Sequence, residues 1–310
     1  MRLRLPALPT LALAACLSLS TTGCIKAILA DGQIKSTREG AGAADTLGDY
    51  EVARAASSAG LMQFEGMHRL RPNNPDALFL LLKGWAGYGF AFAQDDMEVA
   101  QLQNDDERAE YHKRRAKLAF DRSVSYGVEL VGKYAEGFEE AKKTQRGLKA
   151  WLDEHFDDKA DGDVLYWLAS AWMARVNLMK EDPDLVAELY IGVTILEHAN
   201  KLNPEYANYG ALNNLASYHA RASMAELDEA QKLFEEALAK TQRKTLMVQL
   251  NYATRYACNK GDKPLFDKLI NEVLSSEDPD PNQRLVNTIA KRRAKRALAK
   301  ANLQDCAFNN

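Results

Sequence analysis

The stretch Val164 to Leu178 reads V-L-Y-W-L-A-S-A-W-M-A-R-V-N-L and carries two of the chain's four tryptophans, Trp167 and Trp172. Apolar residues recur on every side of a helical wheel drawn through it. A helix apolar all round is a buried one, because a surface helix keeps a polar stripe for water. Ala169, Ser170, Ala171 and Ala174 stand between the large residues and let neighbouring helices approach closely. Only Arg175 and Asn177 interrupt the run. A buried guanidinium needs a carboxylate or several acceptors, so Arg175 separates two readings of this helix. Facing an aromatic-lined void, it belongs to a pocket. Paired with Asp163 or Glu188, it belongs to plain core. On either reading this is the central helix of an all-α protein.

Outward from it, helix follows helix, and no stretch keeps up the alternation of a strand. Arg71-Pro72-Asn73-Asn74-Pro75 stops one helix and starts the next, Asp182-Pro183 breaks the tryptophan helix, and Asn203-Pro204 closes the one after it. Proline ends helices because it lacks the amide proton and clashes with the preceding turn. Roughly a dozen helices joined by short loops are expected. Their order has a repeat of tetratricopeptide type. Leu215, Ala216 and His219 occupy the repeat's helix A positions, and Ala230, Phe234 and Ala237 reproduce its helix B spacing, with two extra residues between. The register is irregular elsewhere, so the expected architecture is a divergent tetratricopeptide-like helical solenoid.

The N-terminus reads as a targeting segment. Arg2 and Arg4 precede a mostly apolar run from Leu5 to Ser20, and Thr21-Thr22-Gly23-Cys24 closes it. Pro6 and Pro9 make it too broken for a transmembrane helix. Small residues before a cysteine fit a bacterial lipobox, whose cysteine is acylated and becomes the mature N-terminus. Cys16 competes for that role, and Cys24 is favoured because the apolar run ends there. The division expected is residues 1–23 as signal segment, 24–48 as a flexible Gly/Ala/Ser/Thr-rich tether, 49–303 as the helical domain and 304–310 as a tail. Cys258 and Cys306 remain. Export permits a disulfide between them, but their spacing does not require one.

The 310 residues are 46% hydrophobic and 27% charged with a net charge of -3, enough for a sizeable core and without the basic excess that nucleic-acid binding favours. The basic run Lys291 to Arg296 reads as a solvated face or partner contact. The five histidines form no metal motif, and no cysteine pair has metal spacing. There is no P-loop and no nucleophile elbow, so neither catalysis nor a cofactor is expected. Two aromatic stretches stand out instead. Trp85, Tyr88, Phe90 and Phe92 alternate with Gly84, Gly87 and Gly89. Glycines in a helix together cost roughly 2 to 3 kcal/mol against alanine, so a close helix crossing or a ligand must offset them. The candidates for a ligand cavity are Trp85, Tyr88, Phe92, Tyr166, Trp167 and Arg175. Asn214, Arg221, Asn251 and Arg255 are the candidates for polar contacts in a solenoid groove.

The combination resembles a known family. The cysteine and tether are followed by G-W-A-G-Y-G-F-A-F-A-Q (Gly84 to Gln94), D-V-L-Y-W-L-A-S-A-W (Asp163 to Trp172) and the repeat-like end L-N-P-E-Y (Leu202 to Tyr206). This order is similar to the TatT family, lipoproteins associated with tripartite ATP-independent periplasmic (TRAP) transporters. The resemblance implies an all-helical tetratricopeptide-like domain held by a lipid anchor on the periplasmic face of a membrane, the outer one by expectation. It implies association with the periplasmic solute-binding component and the relay of a hydrophobic small molecule. Thr21 departs from the usual lipobox leucine. The alternative is a lipid-anchored adaptor whose concave face grips another envelope protein. Homo-oligomer formation stays open.

Overall fold

The computed structural model describes residues 10–221 and 225–308, with the backbone alone for 10–24 and 301. The start of the expected signal segment, residues 1–9, lies outside the described residues, as do the side chains of Cys16 and Cys24. Among the described residues there is no strand, and the fold is all-α. In chain order the helices are α1 (Thr10–Gly40), α2 (Tyr50–Leu70), α3 (Pro75–Tyr88), α4 (Gln94–Leu102), α5 (Asp106–Tyr134), α6 (Phe138–Ala141), α7 (Gln145–His155) and α8 (Asp161–Leu178). Then follow α9 (Pro183–Ala187), α10 (Leu189–Leu202), α11 (Tyr206–His219), α12 (Leu227–Lys240), α13 (Leu246–Asn251), α14 (Cys258–Lys260), α15 (Lys263–Ser275), α16 (Arg284–Ala297) and α17 (Lys300–Gln304). Several helices begin on a capping side chain, whereas α8, α10, α11, α12 and α16 do not. Asp49 accepts from the amides of Glu51 and Val52, and Asn74 from that of Ala77 just after Pro75.

Helix α8 is central, as its composition demands. Leu165, Leu168, Ala169 and Ala171 have no exposed surface, and α8 packs against α3, α5 and α10. A second core gathers around Phe234, Tyr252, Tyr256 and Phe266, under α12, α13, α15 and α16. Helices close in chain order, such as α3 with α5, α8 with α10 and α11 with α12, pack on one another, an order compatible with a helical solenoid.

Two features differ from the sequence reading. The stretch 24–48, expected to be a tether, is helix to Gly40 and a 3₁₀ segment over Ala41–Thr46. Ile34 is 2% exposed and packs with Met67, Ala77 and Leu80. Asp31 accepts a two-pronged grip from Arg71 at 2.7 and 2.8 Å and a third bond from Asn74 at 2.8 Å, while Arg38 donates to Asp76 at 2.6 Å. Residues 31, 34 and 38 share one helical face. A composition weighted to small residues hides that periodicity. The second difference is the basic run. It is no solvated face, because Arg292, Arg293 and Arg296 turn inward on the first helices of the domain.

That contact brings α16 onto α2 and α4 and joins the end of the chain to its beginning. It is matched by a break in helix geometry. Gly89–Ala93 is a π-helical segment, as is Tyr252–Ala257. In such a bulge the register of backbone bonds shifts and carbonyls become available to other donors. Arg293 Nη2 donates to the carbonyl of Phe90 at 2.9 Å and the Tyr50 hydroxyl to that of Ala91 at 3.0 Å. Near the other end, Cys258 and Cys306 form a disulfide, and Phe308 packs edge-on against Phe266 at 5.2 Å between ring centres.

Candidate functional site

The six residues proposed from the sequence for a ligand cavity fall into three groups. Trp85, Tyr88 and Phe92 form one chain of rings, with centres 6.1 and 6.0 Å apart. Trp85 donates to Glu65 at 2.9 Å under the guanidinium of Arg122, Tyr88 accepts from Arg115, and Phe92 is 2% exposed against Tyr50. The glycines beside them serve close packing at two places. A side chain at Gly89 would meet the Phe120 ring at 2.8 Å, and one at Gly84 would meet Leu61 at 3.1 Å, whereas Gly87 has open space.

Tyr166 and Trp167 form the second group, with rings 5.3 Å apart and Tyr206 5.4 Å from Tyr166. The Trp167 indole donates to the Tyr206 hydroxyl at 2.8 Å. Tyr166 is pressed on the backbone of Gly210, where a Cβ would stand 2.5 Å from its hydroxyl. Burial raises the pKa of both tyrosines, and Asp163 adds to the rise at Tyr206. Between Tyr206 and Gly210 the backbone turns left-handed at Ala207, Asn208 and Tyr209, with φ of 50, 52 and 60°. Such a turn is strained for any residue with a Cβ.

Arg175 stands alone at the far end of α8. It pairs with Glu188, lies 3.9 Å from Asp121 and covers the Trp172 ring at 4.8 Å. That is the paired outcome, and this end of α8 is packed core. No ring contact or hydrogen bond among the described residues joins the three groups.

A pocket of about 340 Å³ opens beside the second group. Its walls include Arg38 from α1, Asp76, Phe79 and Lys83 from α3, Asp163 from α8 and Tyr206 from α11. It touches the predicted aromatics through Lys83, which lies 5.6 Å from the Trp167 ring, and through the Tyr206 hydroxyl. Arg38 is paired to Asp76 and stacked 4.0 Å over Phe79. Among the described residues Asp163 accepts only from the amide of Asn203, at 3.1 Å, and burial pushes its carboxyl above its ordinary value. The sequence reading missed this site because one wall is the segment assigned to the tether. Asp163 and Tyr206 lie within the quoted motifs, but Asp163 was read only as a possible partner of Arg175 and Tyr206 was given no role.

The four groove candidates are placed as follows. Asn214 donates to Ser170 at 3.2 Å and Asn251 to Asn213 at 3.3 Å, so a polar ladder runs from α8 over α11 to α13. Arg221 folds back on Tyr218, donating to its carbonyl at 2.9 Å and lying 4.0 Å over its ring. Arg255, one turn beyond Asn251 in the second π-segment, is exposed and has no hydrogen bond or ion pair among the described residues. Surrounding protein nonetheless crowds it. Burial lowers its pKa, with Glu98 opposing and Arg293 adding to the shift.

The fold is all-α, with aromatic clusters and a polar ladder that ends beside an arginine without a partner among the described residues. The chain belongs to the TatT family, the TRAP transporter T-component, whose family model matches residues 47–303. It is therefore a component associated with TRAP transport, and the family is not one of enzymes. No curated protein matches the chain. No helix of the described residues is long and apolar enough to cross a membrane.

Proposed function

We propose that this chain is a lipid-anchored periplasmic protein that binds the solute-binding component of a TRAP transporter and passes on a small, largely apolar molecule. Cys24 carries the anchor in this reading. The Cys258–Cys306 disulfide supports export, since such bonds persist in oxidising compartments. The observation that carries the partner site is Arg255, an exposed guanidinium with no partner among the described residues, at the end of the ladder Ser170–Asn214 and Asn213–Asn251. Arginine at such a place offers five fixed donors to a partner's carboxylate or backbone carbonyls. The ligand site of this reading is the pocket beside Trp167, whose Phe79 and Tyr206 would meet the apolar part of such a molecule and whose charged rim of Lys35, Glu39, Lys83 and Asp163 would take its polar end.

The test is co-purification of the solute-binding component with the acylated chain, in the native form and with Asn214→Ala and Arg255→Ala together. Loss of the partner with the folded double variant supports the groove. Undiminished recovery refutes it. Binding of a ligand beside Trp167 is read separately, from quenching of tryptophan emission that is absent in Trp167→Phe.

A further inference from the structure

Ile25, Ile28 and Leu29 are 55, 69 and 67% exposed on the same helix that buries Ile34 to 2%. At 3.6 residues per turn the three centre on the face of α1 opposite Ile34. None of them joins a core cluster among the described residues. The inner face is fastened to the domain by Asp31 on Arg71, by Ile34 in its apolar socket and by Arg38 on Asp76. After Leu29 the outer face changes character and continues through Gly32, Gln33 and Ser36. The outward apolar stripe is thus confined to Ile25 through Leu29, about 6 Å of helix rise, directly after Cys24.

We propose that this stripe is a lipid-surface contact. Ile25, Ile28 and Leu29 lie in the boundary between headgroups and acyl chains, and α1 is a rigid strut that sets the height and tilt of the domain. The proposal rests on the acylation of Cys24. Acyl chains on that residue hold its backbone at the membrane surface, and Leu29 is only about 8 Å further along the helix. Interfacial helices sink their apolar face about 5–10 Å, the depth this stripe would reach. Exposed Lys26 beside it can keep its methylenes with the apolar side chains while its ammonium meets lipid phosphates. The switch to Gly32, Gln33 and Ser36 then marks where the helix leaves the lipid. Arg38 stands about 21 Å along the helix from the anchor, so the pocket lies beyond the stretch that meets lipid.

The test uses the full acylated chain on vesicles of phosphatidylethanolamine and phosphatidylglycerol. A nitroxide is attached through Leu29→Cys or, separately, through Ser36→Cys. The expected result is a label at 29 that collides with oxygen and is shielded from a water-soluble nickel chelate, while the label at 36 shows the reverse. Exchanging Ile25 and Ile28 for asparagine, at exposed positions that do not affect folding, moves the label at 29 into water. A vesicle-bound protein whose label at 29 is as open to nickel as that at 36 overturns the proposal. So does a label at 29 that is shielded without vesicles and more so at higher protein concentration, because a second copy then covers the stripe. Mass spectrometry of Cys24 decides the anchor independently. An acylated chain with a wet label refutes the stripe alone, and an unacylated chain still shielded on vesicles refutes the anchor alone.

Discussion

Arg296 reaches Asp95 across 201 residues of chain, its Nη2 donating to Oδ1 at 2.5 Å while Asp95 has no exposed surface. Arg292 at 3.1 Å and the Tyr50 hydroxyl at 2.9 Å complete the shell of that carboxylate, and Arg296 also holds Glu98 at 2.7 Å. A buried carboxylate is tolerated only with such partners, and removing one member leaves another charge uncompensated. The pair therefore locks the last long helix to the first part of the domain.

Asp95→Asn is expected to lower the unfolding free energy at pH 7 by about 2–3 kcal/mol, less than a fully severed buried pair because Glu98 still engages Arg296. Burial alone would raise the Asp95 carboxyl, but Arg296, Arg292 and the Tyr50 hydroxyl outweigh it and hold it below its ordinary value. A depressed carboxyl stabilises the fold above its unfolded pKa of about 3.9 and loses that contribution as pH falls through the folded value. Urea unfolding below about pH 4 should accordingly decline less steeply in the variant than in the native chain. Equal slopes would contradict the assignment.

Two glycines two residues apart should respond oppositely. Gly89→Ala forces a methyl to within 2.8 Å of the Phe120 ring, which is 1% exposed and cannot retreat. A loss of about 1–3 kcal/mol is expected. Gly87→Ala meets nothing within 4 Å in a helical segment and should gain about 0.5–1 kcal/mol. Thermal unfolding of both variants checks the pair, and two losses would mean that Gly87 also touches something.

The left-handed turn at Ala207 to Tyr209 predicts that Ala207→Gly raises stability by about 1 kcal/mol through relief of the Cβ clash. Chemical denaturation of the variant reads this directly. A lower midpoint would show that the turn is not strained there.

Cys306→Ser should remove up to about 4 kcal/mol, the chain-entropy value for a cross-link whose cysteines are 48 residues apart. The loss should be local in its dynamics. Amide exchange in α17 and around Cys258 should rise, since the backbone bond from Ala307 to the Cys258 carbonyl, at 3.0 Å, then has little else to hold it. Unchanged exchange would mean that Phe308 on Phe266 suffices.

The central helix and its neighbours were legible because α8 carries its burial in its own composition. Breaks such as Arg71-Pro72 and Asn203-Pro204 also fall where helices end. Long-range charge pairing left no such mark. Arg292, Arg293 and Arg296 look solvated in a sequence, since nothing local says that Asp95 and Glu98 wait for them about two hundred residues earlier. The helix through Ile34 was hidden by small residues whose partners, Met67 and Leu80, lie on other elements. Among the candidate site residues, the sequence reading set Tyr166 and Trp167 beside Trp85 and Tyr88, whereas they pack on Tyr206 instead. For Arg175 the sequence offered Asp163 or Glu188 as partner or an open void, and the choice of Glu188 is a tertiary fact. Arg255 was named for its place on a helix face, but its lack of a partner is a tertiary fact.

The most direct measurement is calorimetric titration of the purified mature chain with the solute-binding component of the same cell's TRAP transporter. The account predicts saturable binding that Arg255→Ala weakens about ten-fold, the effect of losing one central contact. Two folded proteins that give no heat and no complex, or a complex indifferent to Arg255→Ala, would contradict it.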